Sequence, residues 1–138
     1  MKLDGVGMIS GGFDPIHVGH IQYIQEASVN CNILVAVVNG DSFLERKKGY
    51  SFMTAQERAY IIDNVKGVDY TVIYESDQDT VNEMIEIIKP DYFFKGGDRN
   101  SPENIPEWDT CIKNHCIVFT NIGGEKIQSS SNLVNRVK

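Results

Sequence analysis

A chain of 138 residues, 41% of them hydrophobic, has material for one core and is read as one domain over residues 1–138. Its 13 basic and 19 acidic side chains leave a net charge of −6, which argues against nucleic acid as a partner, because backbone-phosphate binding needs a basic surface. No membrane-length apolar run and no signal-like start are present, and Cys31, Cys111 and Cys116 lack metal-ligand spacing, so a cytoplasmic protein with reduced thiols and no membrane partner is expected.

Apolar runs alternate with amphipathic segments along the chain. Residues 6–9 predict a short buried strand. Residues 18–28 predict a helix with Ile21, Ile24 and Ala27 on one side. Residues 33–38 are continuously apolar and β-branched, as in a central parallel strand. The stretch 40–52 is polar, carries Arg46-Lys47-Lys48-Gly49, and reads as a flexible loop of the kind that acts as a lid. A helix follows over 54–65, with Thr54 as N-cap and Glu57 completing a capping box. Residues 70–74 predict a third strand. Over 80–88, Val81, Met84, Ile85 and Ile88 follow helical spacing until Pro90 stops them.

The fourth strand is expected over 91–95, ending in Gly96-Gly97. Pro106 suits the first turn of a helix running to about Asn114. A fifth strand over 116–120 and a last helix over 129–137 complete the pattern. Regular strand–helix alternation implies an α/β, Rossmann-like domain: a five-stranded parallel sheet with helices on both faces. Ligands bind beyond the C-terminal ends of such strands, which places Gly11-Gly12 and Gly96-Gly97 at the site.

The stretch Ser10-Gly11-Gly12-Phe13-Asp14-Pro15-Ile16-His17-Val18-Gly19-His20 joins the first strand to the first helix. A helix start offers free backbone N–H groups and partial positive charge, which suit a phosphate. His17 and His20, three apart, share a face and can address one anion. Gly11, Gly12 and Gly19 let the backbone approach closely, with Phe13 beside them.

This run resembles the signature of the cytidylyltransferase-like nucleotidyltransferases, His-x-Gly-His after a first strand. The resemblance implies transfer of a nucleoside monophosphate from an NTP to a phosphate monoester, with release of pyrophosphate. It makes His17 and His20 catalytic contacts to the α-phosphate and bridging oxygen. By composition Lys47 and Lys48 are surface lysines, but Lys47-Lys48-Gly49-Tyr50 is similar to the K-K-A-Y of glycerol-3-phosphate cytidylyltransferases. That similarity selects Lys47 as the catalytic lysine, with Lys48 as second choice. By composition Glu57-Arg58 is an exposed pair. By resemblance Arg58 faces the acceptor phosphate, and Asp14 and Asp41 are placed on the same acceptor side. Asp14 is read as a cap of the first helix or a support for an imidazole. Ser129, Ser130 and Ser131 resemble the family's terminal I-S-S-S segment and would hold the β- and γ-phosphates, with Lys126 in place of an arginine common in relatives.

The segment Phe93-Phe94-Lys95-Gly96-Gly97-Asp98 resembles the V-K-G-G-D of the adenylyltransferase domain in heptose-phosphate enzymes, and the continuation through Glu107 extends that likeness. It puts Lys95, Gly96 and Asp98 at the nucleotide and favours ATP and a sugar phosphate. The alternative is a CTP-dependent enzyme acting on glycerol-3-phosphate or a similar polyol phosphate. Two other classes are a nucleotide-binding regulatory module without turnover and a tRNA-synthetase-like fragment. Intact motif residues argue against the first, and a short acidic chain against the second. His115 is read as a loop histidine. An attacking phosphate with a second pKa of about 6 is already ionised, so no general base is needed. No protein metal site is expected; Mg²⁺ would be bound largely by the triphosphate. A homodimer is implied by the resemblance.

Overall fold

A computed structural model describes residues 4–96 and 102–123 of the chain. Gly97, Asp98, Lys126, Ser129, Ser130, Ser131 and the helix expected over 129–137 lie outside the described residues. The elements are β1 (Val6–Gly11), α1 (Val18–Ser28), β2 (Ile33–Asn39), α2 (Asp41–Lys48), α3 (Ala55–Asp63), β3 (Tyr70–Tyr74), α4 (Asn82–Ile88), β4 (Tyr92–Gly96), a 3-10 turn at Pro102–Asn104, α5 (Trp108–Lys113) and β5 (Ile117–Ile122). The 5-stranded sheet has the order β3-β2-β1-β4-β5, with every pair parallel.

Period-2 alternation divides the core between the two faces. Ile9 and Phe94 join Ile24, Ala27 and Ile62 beneath α1 and α3. Their neighbours Met8 and Phe93 turn the other way and join Ile85 and Cys111 beneath α4 and α5. The chain winds outward from β1 to β2 and β3, then returns past β1 to β4. Strands β1 and β4 are therefore the switch point, where a crevice opens beyond their C-terminal ends. The β1–β4 register runs only through Gly7↔Tyr92 and Met8↔Phe93, so the strands part before β1 is finished.

The polar stretch 40–52 departs most from expectation. It contains the helix α2, which is pinned on several sides. Leu44 is its buried residue and packs on Gly12, where an added Cβ would meet Leu44 Cδ2 at 2.7 Å. The Glu75 carboxylate caps the helix start, accepting from the Asp41 N–H at 3.1 Å and from the Ser42 hydroxyl. Arg46 donates to Asp79 at 3.1 Å and to the carbonyls of Ser76 at 3.1 Å and Gln78 at 2.9 Å. Three basic residues in the last turn suit the negative end of the helix dipole. The polarity of this stretch reflects partners distant in sequence, and the loop reading is corrected accordingly.

Smaller corrections have local causes. Thr54 caps α3 by accepting the Glu57 N–H at 3.2 Å, but the Glu57 side chain bonds to the Thr54 hydroxyl rather than its backbone, so only half the capping box forms. Pro106 lies in a turn ahead of α5, because the Trp108 N–H first bonds to the Ile105 carbonyl at 3.1 Å. Helix α5 ends in a Schellman motif. The Cys116 N–H reaches the Cys111 carbonyl at 2.8 Å, and the His115 N–H reaches that of Ile112 at 3.2 Å. His115 takes the left-handed position, with φ of 57°, and the flanking Cys111 and Cys116 are both buried in the core cluster on this face of the sheet.

Candidate active site

The candidate site grows from the turn between β1 and α1. Phe13 has φ of 53°, a costly conformation for a residue with a side chain, and its ring is buried. It meets His20 edge-on, with ring centroids 5.1 Å apart. His17 is the N-cap of α1, and the two imidazoles stack with centroids 3.8 Å apart.

Their hydrogen bonds form a reciprocal cap. The Gly19 N–H donates to His17 Nδ1 at 3.1 Å, and the His17 N–H donates to His20 Nδ1 at 3.1 Å. Each Nδ1 is therefore an acceptor, and a neutral ring carries its proton on Nε2. The expectation of bare helix N–H groups is revised: the imidazoles take part of that donor capacity, and in the neutral tautomer that these bonds favour each ring carries its N–H at Nε2. Gly19 is required for this fold-back. A Cβ there would lie 2.9 Å from His17 Cε1 and 3.1 Å from its Nδ1.

Asp14 neither caps α1 nor stands exposed to an acceptor. It is 2% exposed, and its carboxylate accepts from the N–H groups of Phe52 at 2.6 Å and Met53 at 2.7 Å. Lys48 lies 3.3 Å from the same carboxylate and donates to the Asp14 carbonyl at 2.9 Å. Lys47, one residue earlier on α2, is exposed and lies over the Phe43 ring at 5.7 Å. The helix thus brings Lys48 to the motif turn.

Arg58 is 1% exposed. It donates from Nε to the Met53 carbonyl at 2.9 Å and from Nη1 to the carbonyls of Gly12 at 2.9 Å and Asn39 at 2.6 Å. From Nη2 it donates to the Asp41 carboxylate at 2.7 Å. Arg58 is therefore not the exposed side chain that composition suggests: it is buried, and four of its five N–H groups go to internal acceptors. Asp41 also accepts from the Ser51 hydroxyl at 3.0 Å. Burial pushes the Asp41 carboxyl up, but hydrogen bonds from Arg58 and Ser51, the Arg58 charge and the Ala55 N–H outweigh it and hold its pKa below the ordinary carboxylate value.

The far wall is the end of β4. Lys95 shares a face with Phe93 and lies over that ring at 5.0 Å. Among the described residues, a Cβ built on Gly96 meets nothing within 4 Å. The sequence reading passed over Tyr23, whose hydroxyl donates to the Phe94 carbonyl beside the register shift between β4 and β5. It thereby ties α1 to the strand across the crevice. The available signal was its place three residues after His20, on the same helix face. Met53 was also missed, because it enters through backbone groups that no residue type advertises. Among the described residues, no group of three or more His, Cys, Asp or Glu could hold a metal ion, and no helix is long and apolar enough to cross a membrane.

A family model described as cytidylyltransferase-like matches residues 8–134. The chain is 40% identical over 96 residues to the "Bifunctional protein HldE" of a Nitratiruptor species, covering 68% of this chain and 20% of that protein. It is 30% identical over 131 residues to the protein of the same name from Helicobacter pylori, covering 94% of this chain and 27% of that one. The chain therefore spans about a fifth to a quarter of the length of these relatives. In fold it is similar to the lipopolysaccharide core biosynthesis protein from Thermoplasma volcanium GSS1, with a TM-score of 0.74 at 24% identity, covering 88% of this chain and 98% of that one. A match across most of the sequence, over the strand–turn–helix that carries the paired imidazoles, shows that the chain belongs to the cytidylyltransferase-like family.

Proposed function

We propose that the protein is a nucleotidyltransferase that moves a nucleoside monophosphate from an NTP, ATP in preference, to a sugar phosphate and releases pyrophosphate. The observation that carries this reading is the reciprocal cap, which sets two stacked imidazoles with Nε2 donors at the start of α1. Two anions must meet while pyrophosphate departs. Donors fixed before reaction stabilise the developing charge without reorganising, and transfers of this kind depend mainly on that and on positioning.

In this reading His17 and His20 donate to the α-phosphate and bridging oxygen. Lys48 is the lysine supported by geometry, through its contact with Asp14. The acceptor phosphate attacks as a dianion, so no side chain has to remove a proton. Asp14 and Asp41 are committed to Met53, Phe52, Arg58 and Ser51, which makes them poor ligands for a resident metal. Mg²⁺ fits better as part of the NTP substrate. Gly96 carries no side chain that would keep a base from the end of β4. The Lys95-Gly96-Gly97-Asp98 segment, through its resemblance to the adenylyltransferase domain of heptose-phosphate enzymes, supports the ATP branch. Ser129, Ser130 and Ser131 are proposed for the β- and γ-phosphates, and a homodimer in the cytoplasm for the assembly.

The test is pyrophosphate release with four NTPs against a panel of phosphate monoesters. ATP with a sugar phosphate should give the highest kcat/KM, exceeding CTP by about 10- to 200-fold, the range of discrimination by pocket size. A CTP preference with a polyol phosphate would move the protein to the other branch. Nucleotide binding without release from any pair would overturn the enzyme reading in favour of a regulatory module.

A further inference from the structure

Arg58 is the first among the largest fully buried side chains, and its four bonds reach four separate segments. One bond to Asp41 would suffice to pair its charge. The others go to backbone carbonyls of the glycine turn, the end of β2 and the connector between α2 and α3. Met53 in that connector is gripped from both sides. Its carbonyl accepts from Arg58 at 2.9 Å, and its N–H donates to Asp14 at 2.7 Å. Asp14 then holds Lys48. The contacts form one line, Arg58 to Met53 to Asp14 to Lys48, and the Arg58 bond to Gly12 ties that line to the turn bearing the imidazoles.

We propose that Arg58 is a positioning residue: acting through Met53 and Asp14, it fixes where Lys48 stands relative to His17 and His20, and it touches no substrate. This deepens the nucleotidyltransferase reading and rests on it. Lysine cannot replace arginine here, because a single ammonium keeps the charge but cannot span acceptors spread around a planar fork.

The experiment compares Arg58→Lys, Lys48→Ala and the double variant in the full chain, using pyrophosphate release and amide hydrogen exchange. Arg58→Lys should lower kcat by at least about 10-fold with KM for nucleotide and acceptor changing less than about 3-fold, the pattern of a misplaced group. In the Lys48→Ala background the same change should cost less than about 2-fold, because a residue acting through Lys48 has nothing left to place. Multiplicative losses in the double variant would overturn the proposal. A raised acceptor KM with kcat preserved would overturn it in favour of direct acceptor contact.

Exchange at the Phe52 and Met53 amides should quicken at least about 10-fold in Arg58→Lys, since these amides report the grip without any turnover. Unchanged exchange overturns the link even if the protein proves to have no transferase activity, whereas wild-type inactivity alone strikes only the functional reading. Should Arg58→Lys fail to fold, Asp14→Asn loosens the same grip from its other side and should reproduce both the kcat loss and the coupling to Lys48.

Discussion

The backbone N–H of His17 donates to Nδ1 of His20 at 3.1 Å, across the first turn of α1. The bond serves the helix and, in the proposed function, the chemistry as well. It satisfies a donor at the helix start, and it makes His20 Nδ1 an acceptor, which leaves the proton of a neutral ring on Nε2. Variants can separate the two effects.

Replacing His17 or His20 by Ala should lower kcat by at least about 100-fold, the scale of losing one transition-state donor at about 3 kcal/mol. His17→Asn is more discriminating. Asn is a strong N-cap, so thermal stability should return toward wild type while kcat stays low. Recovery of turnover in His17→Asn would show that capping is the whole of His17's role.

Gly19→Ala should fold, because Ala favours a helix over Gly by roughly 1 kcal/mol. Its methyl group would nevertheless press on His17 at 2.9 Å and tilt the imidazole away from the Gly19 N–H. The expected result is undiminished thermal stability with kcat lowered about 10-fold or more, as for a displaced catalytic group. Wild-type kinetics in this variant would count against the fold-back as the active arrangement.

Lys48→Ala should cut kcat by about 10-fold or more, and Lys47→Ala by less than about 2-fold, following the contact of Lys48 with Asp14 and the exposure of Lys47. Steady-state kinetics of the two variants decides the order. The reverse order would return the assignment to Lys47.

Asp41 makes stability depend on acid pH. Its folded pKa lies below the 3.8 of the free side chain, so its ionised form stabilises the fold above 3.8, and that contribution is lost as pH falls through the folded value. Asp41→Asn lacks this dependence. Denaturant titrations should therefore show a stability gap between wild type and Asp41→Asn that is steady near neutral pH and narrows below 3.8. A gap that widens on acidification would reverse the sign assigned to the Arg58–Asp41 pair.

The strands and α1 were legible because their signals are local. Residues 70–74 and 18–28 match β3 and α1 at both ends: β3 is a run of β-branched and aromatic residues, and α1 buries Ile24 and Ala27 at helical spacing. Helix α2 was not legible. It buries only Leu44, and its supports Glu75 and Asp79 lie more than 30 residues away in sequence. Arg58 carried a signal that charge concealed. Ala55, Arg58 and Ile62 fall on one helical face, and all three are buried. Asp14 could not be placed from the sequence, because its carboxylate binds backbone N–H groups 38 and 39 residues away. The motif histidines were legible as neighbours, but the sharing of their Nδ1 atoms with the helix start depends on ring orientation, which spacing leaves undetermined.

The early parting of β1 and β4 has a mechanical consequence. The sheet is two half-sheets stitched by a short seam at Gly7↔Tyr92 and Met8↔Phe93, with α1 acting as a strap across it through Tyr23 and through Glu26, which accepts the Gly123 N–H at 3.1 Å. A nucleotide lying beyond the seam would supply rungs that the strands do not make with each other. In the proposed function, ligand binding would therefore brace the C-terminal halves of β1 and β4, which share no register with each other.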